Sequence, residues 1–379
     1  MPYWRLSAFY FFYFASLGAL VPFWGLYLQD RGFTPLDIGQ LMAILMATKI
    51  VAPNVWGWIA DRSGVRMPIV RLASLLSVAV FLGVFADGGF WTLALVMSLF
   101  SFFWNASLPQ VEAVTFNHLR ERIRRYATIR LWGSIGFILT VAGLGQALEW
   151  QGTDLVPRVV LGLYLGIWLA SLAVPEAAGA VPAEHQGSIL VRLRSPEVLA
   201  FLFACFMMQA SHGAYYAFYS IYLEGHGYSK TLIGGLWALG VLIEVLMFLV
   251  MHHLLQRFGA RRVLIASLAV AVVRWLMIGG FPHELWILVL AQTLHAATFG
   301  TFHASAIHLV HHYFTGRLQG RGQALYSSLS YGGGGALGSL ISGYLWSDAG
   351  PLTTFAVCSA GALLGTLAAW LWVDRARRY

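Results

Sequence analysis

Charge is what this sequence has least of. Only 11% of its 379 residues are Asp, Glu, Lys or Arg, less than half the roughly 25% usual in a soluble domain. With 59% hydrophobic residues and a mean hydropathy of +0.69, a water-soluble enzyme of this length is excluded. Lysine is almost missing: Lys49 and Lys230 stand against 22 arginines. The net charge of +8 is spread without a long basic run, which argues against a nucleic-acid surface. The only cysteines, Cys205 and Cys358, lie in apolar segments without metal-ligand spacing, so they provide neither a disulfide nor a redox framework. No small-residue cleavage site follows the aromatic run from Phe9 to Phe14, so the first apolar stretch reads as a membrane span and not a signal peptide.

What remains is a succession of apolar segments. Divided by twelve, the chain gives pieces of about 32 residues, each enough for a span of ~20 residues and a short connection, with no room for a second soluble domain. The spans are read at 4–28, 36–60, 68–85, 91–116, 124–148, 158–174, 198–223, 231–254, 263–280, 285–308, 322–346 and 352–373. The fold class is an all-α integral membrane protein of twelve transmembrane helices in two pseudo-symmetric six-helix bundles. With the N-terminus inside, nineteen Lys and Arg residues fall on the inner side, among them Arg62, Arg66, Arg71, Arg120, Arg122, Arg124, Arg125, Arg261, Arg262 and Arg317. The tail residues Arg375, Arg377 and Arg378 join them, and only Arg31, Arg158 and Lys230 fall outside. That asymmetry places both termini in the cytoplasm of a bacterial-type inner membrane. The connection 175–196, mixed in Ala, Gly, Pro and charge, reads as a cytoplasmic linker between a bundle at 1–174 and another at 197–379.

A shift of 195 positions supports two related halves. It lays Tyr27-Leu28 on Tyr222-Leu223, Gly32-Phe33-Thr34 on Gly227-Tyr228-Ser229, and Ile38-Gly39 on Ile233-Gly234. Without a gap it also lays Asp61-Arg62-Ser63-Gly64-Val65-Arg66 on Gln256-Arg257-Phe258-Gly259-Ala260-Arg261. Loops that agree in glycine, aromatic and cap residues are a stronger signal than matching apolar helices. Thr34 and Ser229 sit where helix N-caps belong. Parallel halves of this kind suit alternating access, with a solute site near the midplane between them.

The segment Gly57-Trp58-Ile59-Ala60-Asp61-Arg62-Ser63-Gly64-Val65-Arg66 resembles the G-x-x-x-D-R-x-G-x-R/K loop between helices two and three of the major facilitator superfamily. The resemblance implies that Gly57, Asp61, Arg62, Gly64 and Arg66 form a cytoplasmic gate motif. Asp61 at a helix end is expected to accept from a neighbouring helix N-terminus or an arginine, while Arg62 and Arg66 stay in the interface. Plain positive-inside anchoring accounts for the arginines but not for Gly57, Asp61 and Gly64.

Ionisable residues within spans cost at least ~2.5–3.5 kcal/mol on insertion scales, so each needs a partner or a task. Here they are Lys49, Glu112, Arg130, His212, Glu244, Arg274, His295 and His303, with Lys49 and Glu244 related by the 195 shift. Four helical stripes surround them: Ser101, Asn105, Leu108 and Glu112; Arg130, Ser134 and Phe137; Gln209, His212, Tyr216 and Tyr219; Gln292, His295, Thr298 and Phe299. These faces read as one water-filled cavity, against the alternative that polar faces merely pack helices.

Glu112 precedes Arg130 by eighteen residues. Together with Pro109-Gln110-Val111-Glu112 and Tyr126-Ala127-Thr128-Ile129-Arg130-Leu131-Trp132-Gly133-Ser134, this is similar to lactose permeases and, more closely, to the phenylpropionate permease branch, relatives of nucleoside:proton symporters. Gln209 to Tyr216 and Gly240 to Val245 resemble the phenylpropionate branch, and Arg274 and His295 match lactose permease positions implicated in proton coupling. The departures are Gln292 and Thr298 in place of a Lys and a Glu, Tyr216 and Tyr331 in place of an Asp–Lys pair, and Val241 one turn from Glu244 in place of an acid. Galactoside specificity is therefore not implied. The helix-five signature common in facilitator antiporters is absent from Gly133 to Gly145, which favours symport.

The resulting expectation is a proton-coupled symporter, not an enzyme, that imports a small organic solute. The best match to a net-positive, aromatic-lined cavity is an aromatic carboxylate such as 3-phenylpropionate. Arg130 is the expected carboxylate partner with Lys49 second, and Glu112, Asn105, Ser134, His212 and Tyr216 complete the substrate site. Burial penalises a charged carboxyl and a nearby arginine favours it, so Glu244 is the expected proton site, tuned by Arg274 and His295, with His303 in the same set. The competing reading is a static buried ion-pair network of Glu244, Arg274 and Lys49. Sugar or nucleoside symport is the alternative solute class, and a membrane-embedded receptor or enzyme the alternative from another class. His308, His311 and His312, like His252-His253, read as interfacial residues and not a metal site. Gly332 to Gly335 with Gly338 reads as close packing or a bend, not a nucleotide loop. No cofactor, metal or nucleic acid is expected; the partners are solute, protons and the bilayer, and the protein is read as a monomer.

Overall fold

A computed structural model describes residues 1–86, 88–120, 122, 125–177 and 189–374. Most of the expected linker (residues 178–188), Arg124, and the tail residues Arg375, Arg377 and Arg378 lie outside the described residues, as does the side chain of Arg317. The described chain is helical. The first elements are α1 (Tyr3–Asp30), α2 (Pro35–Ser63), α3 (Met67–Phe81, continued by a 3₁₀ turn Leu82–Phe85), α4 (Phe90–Leu119), α5 (Tyr126–Gln151) and α6 (Leu155–Ala173). Next come a short α7 (Ile189–Leu193), α8 (Pro196–Ser211), α9 (Gly213–Gly225), α10 (Lys230–Phe258) and α11 (Ala260–Gly280). The last are α12 (Leu285–Thr293), α13 (Phe302–Tyr313), α14 (Gln319–Ser327), α15 (Gly335–Asp348) and α16 (Gly350–Trp372). Among the described residues eleven helices are long and apolar enough to cross a membrane. The twelfth expected span, 322–346, falls on α14, a π-helical stretch Ser328–Gly334 and α15.

Contacts group residues 1–182 with 227–238, and 183–226 with 239–379. The two sequence halves repeat each other's backbone. Left-handed glycines occur at Gly32 (φ 84°) and Gly227 (φ 83°), and again at Gly64 (φ 72°) and Gly259 (φ 78°), both pairs 195 residues apart. The expected caps form. Thr34 and Asp37 make a reciprocal capping box at α2, and the Ser229 hydroxyl accepts from Leu232 N at 3.2 Å.

Within the first unit α1 packs along α5, where Gly18 and Gly136 face the Phe137 and Phe11 carbonyls so closely that any side chain would collide with them. Lipid chains are as apolar as leucine, so such contacts rest on close packing and not on hydrophobic driving force. In the second unit Gly213 abuts the backbone of Gly338, and Gly338 in turn abuts Ala210.

Two spans read as unbroken helices are interrupted. The span 198–223 divides at His212 into α8 and α9, beside the Gly213–Gly338 contact. The span 285–308 divides into α12, a π-helical turn Ala297–Thr301 and α13. Gly332 to Gly334 take part in the π-helical stretch, Gly335 opens α15, and Gly334 lies against the Phe206 carbonyl, so these glycines serve close packing and a local change of helix pitch together.

Candidate functional site

In the first unit, α2 and α4 share a hydroxyl-amide chain: Asn105 Nδ2 donates to Thr48 Oγ1 at 3.0 Å, and Thr48 Oγ1 donates to Ser101 Oγ at 3.0 Å. Lys49 follows Thr48 and its ammonium reaches Met46 Sδ at 3.4 Å. Farther along α4, Glu112 accepts from the Tyr126 hydroxyl at 3.1 Å. Tyr126 lies edge-on to Tyr10, whose hydroxyl donates to Thr115 at 3.3 Å. The Arg130 guanidinium lies over the Phe14 ring, 3.6 Å from its centroid. A cation on an aromatic face keeps its edge donors available, and no described residue supplies them with a hydrogen-bond acceptor. Ser134 is half-buried one turn beyond Arg130.

The second unit holds a denser cluster. Arg274 on α11 is fully buried. It donates to Ala291 O at 2.8 Å, Thr298 Oγ1 at 3.1 Å and Gln292 Oε1 at 3.4 Å. Its guanidinium lies 4.4 Å from the Tyr215 ring centroid and 4.6 Å from that of Trp275, two rings that also touch each other at 5.7 Å. Gln292 Oε1 also takes the Tyr215 hydroxyl at 3.0 Å. His295 Nε2 lies 3.8 Å from Glu244 Oε2, and its ring stacks on Phe299 at 5.4 Å. His212, at the helix break, meets the Met208 carbonyl through Nδ1 at 2.7 Å and stands edge-on to Trp275, with Tyr216 at 5.6 Å. The Nε2 atoms of His212, Gln209 and Gln292 and Nδ1 of His295 are buried without a hydrogen-bond partner. Such atoms are the ones that water or a solute satisfies.

The sequence-level set therefore separates. Glu244, Arg274 and His295 come together, and so do Glu112 and Tyr126 beside Arg130. The static ion-pair reading of Glu244, Arg274 and Lys49 is not what forms: Arg274 takes neutral acceptors, and Lys49 takes a thioether. The Tyr331 and Tyr326 hydroxyls reach His303 Nδ1 at 2.9 and 3.2 Å, and Phe299 lies against both the His295 and the Tyr331 rings. The expected unbroken stripe through His212 is corrected by the helix break, which turns the ring toward Trp275. Tyr215, Phe14, Tyr126 and Thr48 were not singled out from sequence. A buried arginine needs acceptors and faces to lie on, but in a chain with 15% aromatics nothing marks which rings supply them.

The gate segment folds as a clasp. Arg66 donates to Asp61 Oδ1 at 2.6 Å and, with its other terminal nitrogen, to Gln110 on α4. Arg62 lies 5.6 Å from the Trp58 ring centroid, and Gly57 faces Gln110. The acid that receives the neighbouring helix N-terminus is not Asp61 but Glu176, whose Oε2 accepts from Arg66 N at 2.9 Å and Met67 N at 2.8 Å. Arg71 then donates to Ser171 O and Val174 O at the end of α6. In the second unit, where Gln256 replaces the acid, Arg261 makes the equivalent pair of contacts with Trp370 O and Val373 O of α16. Cation donors at a helix C-terminus satisfy carbonyls left without N–H partners.

The MFS_1 like family matches residues 3–357 of this chain. The probable 3-phenylpropionic acid transporter of Escherichia coli (strain K12) is 32% identical over 364 aligned residues, which cover 90% of each chain. The maltose permease of Geobacillus stearothermophilus is 27% identical, covering 97% of this chain and 94% of the permease. The crystal structure of the nucleoside transporter NupG shares the fold, with a TM-score of 0.84 at 16% identity over 97% of this chain and 98% of that one.

Proposed function

Because this chain belongs to the MFS_1 like family of major facilitator transporters, we propose that it is a proton-coupled symporter of the bacterial inner membrane that imports a small aromatic carboxylate, of which 3-phenylpropionate is the first choice. The observation that carries the solute class is Arg130: a half-buried guanidinium on the Phe14 face, with no acceptor among the described residues. A carboxylate supplies two acceptors in the plane of that fork, while the half-buried Phe14 and Tyr126 rings offer surface to an apolar body. The 32% identity to a probable 3-phenylpropionic acid transporter points the same way. Lys49 is the second anion partner, with Asn105, Glu112 and Ser134 on the adjoining faces. His212 and Tyr216 are the remaining members of the proposed substrate set.

The proton belongs to the Glu244–His295 contact. At 3.8 Å the two groups lie within ion-pair reach, so a proton taken up by one is felt by the other and is lost when their surroundings change, and buried Arg274 sets the local field without a carboxylate of its own. The Tyr326–His303–Tyr331 group is a further link in proton coupling. The two six-helix halves, 1–174 and 197–379, exchange access by turns, with 175–196 as a cytoplasmic linker, both termini cytoplasmic and one chain sufficient. The clasp of Gly57, Asp61, Arg62, Gly64 and Arg66 latches the arginine-rich ends of the first half.

Proteoliposomes with an imposed pH gradient test this reading. Labelled 3-phenylpropionate accumulates with the wild type. Arg130→Gln abolishes uptake and counterflow alike; Glu244→Gln abolishes gradient-driven accumulation and keeps counterflow. A wild type that ignores 3-phenylpropionate but accumulates maltose or uridine replaces the solute class with the second reading, sugar or nucleoside symport, which the maltose permease likeness favours. Accumulation by Glu244→Gln equal to wild type overturns the proton assignment.

A further inference from the structure

We propose that the loops following α9 and α11 form a binding site for a transition-metal ion, with Zn²⁺ as the reference cation and His226 and His283 as its protein ligands. These two imidazoles come from separate connections of the second unit and have ring centroids 4.7 Å apart. Two histidine nitrogens on one tetrahedral zinc, each at about 2.0–2.1 Å, place their ring centroids roughly 5 Å apart. The observed pair is already about that close, with the rings packed edge to face at 69°, so rotation of the exposed His283 ring and not a backbone movement brings both nitrogens to one ion.

The tautomer suits a metal. His226 Nδ1 lies 2.7 Å from the Tyr222 carbonyl, and a carbonyl only accepts, so Nδ1 carries the proton and Nε2 presents its lone pair. Metal-bound histidines are oriented by this kind of N–H to carbonyl bond. The scaffold is rigid as well. The Tyr222 hydroxyl donates to Gly279 O at 2.9 Å, fastening α9 to the end of α11, and its ring stands edge-on to His226 at 4.5 Å. His283 is exposed, so its ring turns to bring a nitrogen toward His226 without disturbing packing. No group of three His, Cys, Asp or Glu forms among the described residues, so water completes the coordination and the affinity is micromolar, well short of a structural zinc site.

The related half shows what the position holds without this pair. The 195 shift lays His226 on Arg31 and His283 on Gly88. In the first unit those residues line an open cavity of about 220 Å³ together with Tyr27 and Gly32. The second unit has two imidazoles where the first has an arginine and a glycine. Helix packing therefore does not call for them, and a ligand role does.

The test is calorimetric titration of ZnCl₂ into tag-free, chelator-treated full-length protein in detergent, paired with melting curves with and without Zn²⁺. One saturable micromolar site is expected, along with a rise in melting temperature on adding the metal. His226→Ala and His283→Ala each weaken that site at least tenfold and remove the Zn²⁺-dependent rise. A His308→Ala/His311→Ala/His312→Ala variant on α13 keeps both. Because His283 is exposed, His283→Ala melts like wild type without metal, which separates a lost ligand from a damaged fold. A wild type without saturable Zn²⁺ binding, or a His226→Ala/His283→Ala double variant with wild-type stoichiometry and affinity, overturns the proposal.

Discussion

Replacing Arg274 by methionine separates a functional cation from a structural one. Arg274 is fully buried, donates three hydrogen bonds to neutral acceptors and lies against two rings. Removing the guanidinium strands three acceptors at about 1 kcal/mol each. It also removes two cation–ring contacts worth about 1 kcal/mol apiece. Against these losses of about 5 kcal/mol stands relief from holding an ion out of water, a penalty of several kcal/mol. One acceptor has a fallback, since Gln292 Oε1 keeps the Tyr215 hydroxyl at 3.0 Å, and the Thr298 hydroxyl still donates to His295 O at 3.3 Å. Methionine fills most of the vacated volume beside Tyr215 and Trp275. The terms nearly cancel, so Arg274→Met is expected to stay within about 2 kcal/mol of wild type, a melting shift below about 5 °C in detergent. Proton-driven accumulation of 3-phenylpropionate in proteoliposomes is expected to fall at least tenfold. Arg274→Lys, which keeps the charge but not the planar fork, falls between the two. A melting drop above about 10 °C refutes the cancellation and makes the arginine a cross-link; wild-type accumulation by Arg274→Met refutes its part in coupling.

Other outcomes follow from the packing and the clasp. Gly338→Val forces a branched side chain into the Ala210 carbonyl and is expected to abolish recovery of monodisperse protein, whereas Gly320→Val, with open space around it, leaves it unchanged by size-exclusion chromatography. Glu176→Ala removes the acceptor for Arg66 N and Met67 N and is expected to cost about 1–2 kcal/mol, as for a lost helix cap, read as a lower melting temperature that Glu176→Asp partly restores. Thr34→Ala breaks the α2 capping box and is expected to cost about 1 kcal/mol, with faster amide exchange confined to residues 35–38.

Much of the fold was legible because the bilayer leaves few choices. Every backbone polar group in a membrane must be satisfied within the protein, so apolar runs of this length become helices. The 195-residue repeat paired Gly32 with Gly227 and predicted caps at Thr34 and Ser229; the caps form and both glycines take a positive φ, since loops that reverse a helix need those residue types wherever they occur. The helix breaks at His212 and at 297–301 were not legible. They arise where one backbone meets another, as Gly213 meets Gly338, and such a meeting is a property of two distant segments at once.

The site divides the same way. The sequence by itself determined which charges enter the membrane, because Lys49, Glu112, Arg130, Glu244 and Arg274 are conspicuous in a chain with 11% charge. Only the tertiary structure decided their partners. It set His295 against Glu244, laid Arg130 on Phe14, surrounded Arg274 with neutral acceptors and gave the α3 N-terminus to Glu176 in place of Asp61. The physical reason is range: membrane insertion acts on each residue singly, through its own transfer cost, whereas a hydrogen bond or a ring contact exists only within about 3–6 Å, and that proximity is set by how helices far apart in sequence pack.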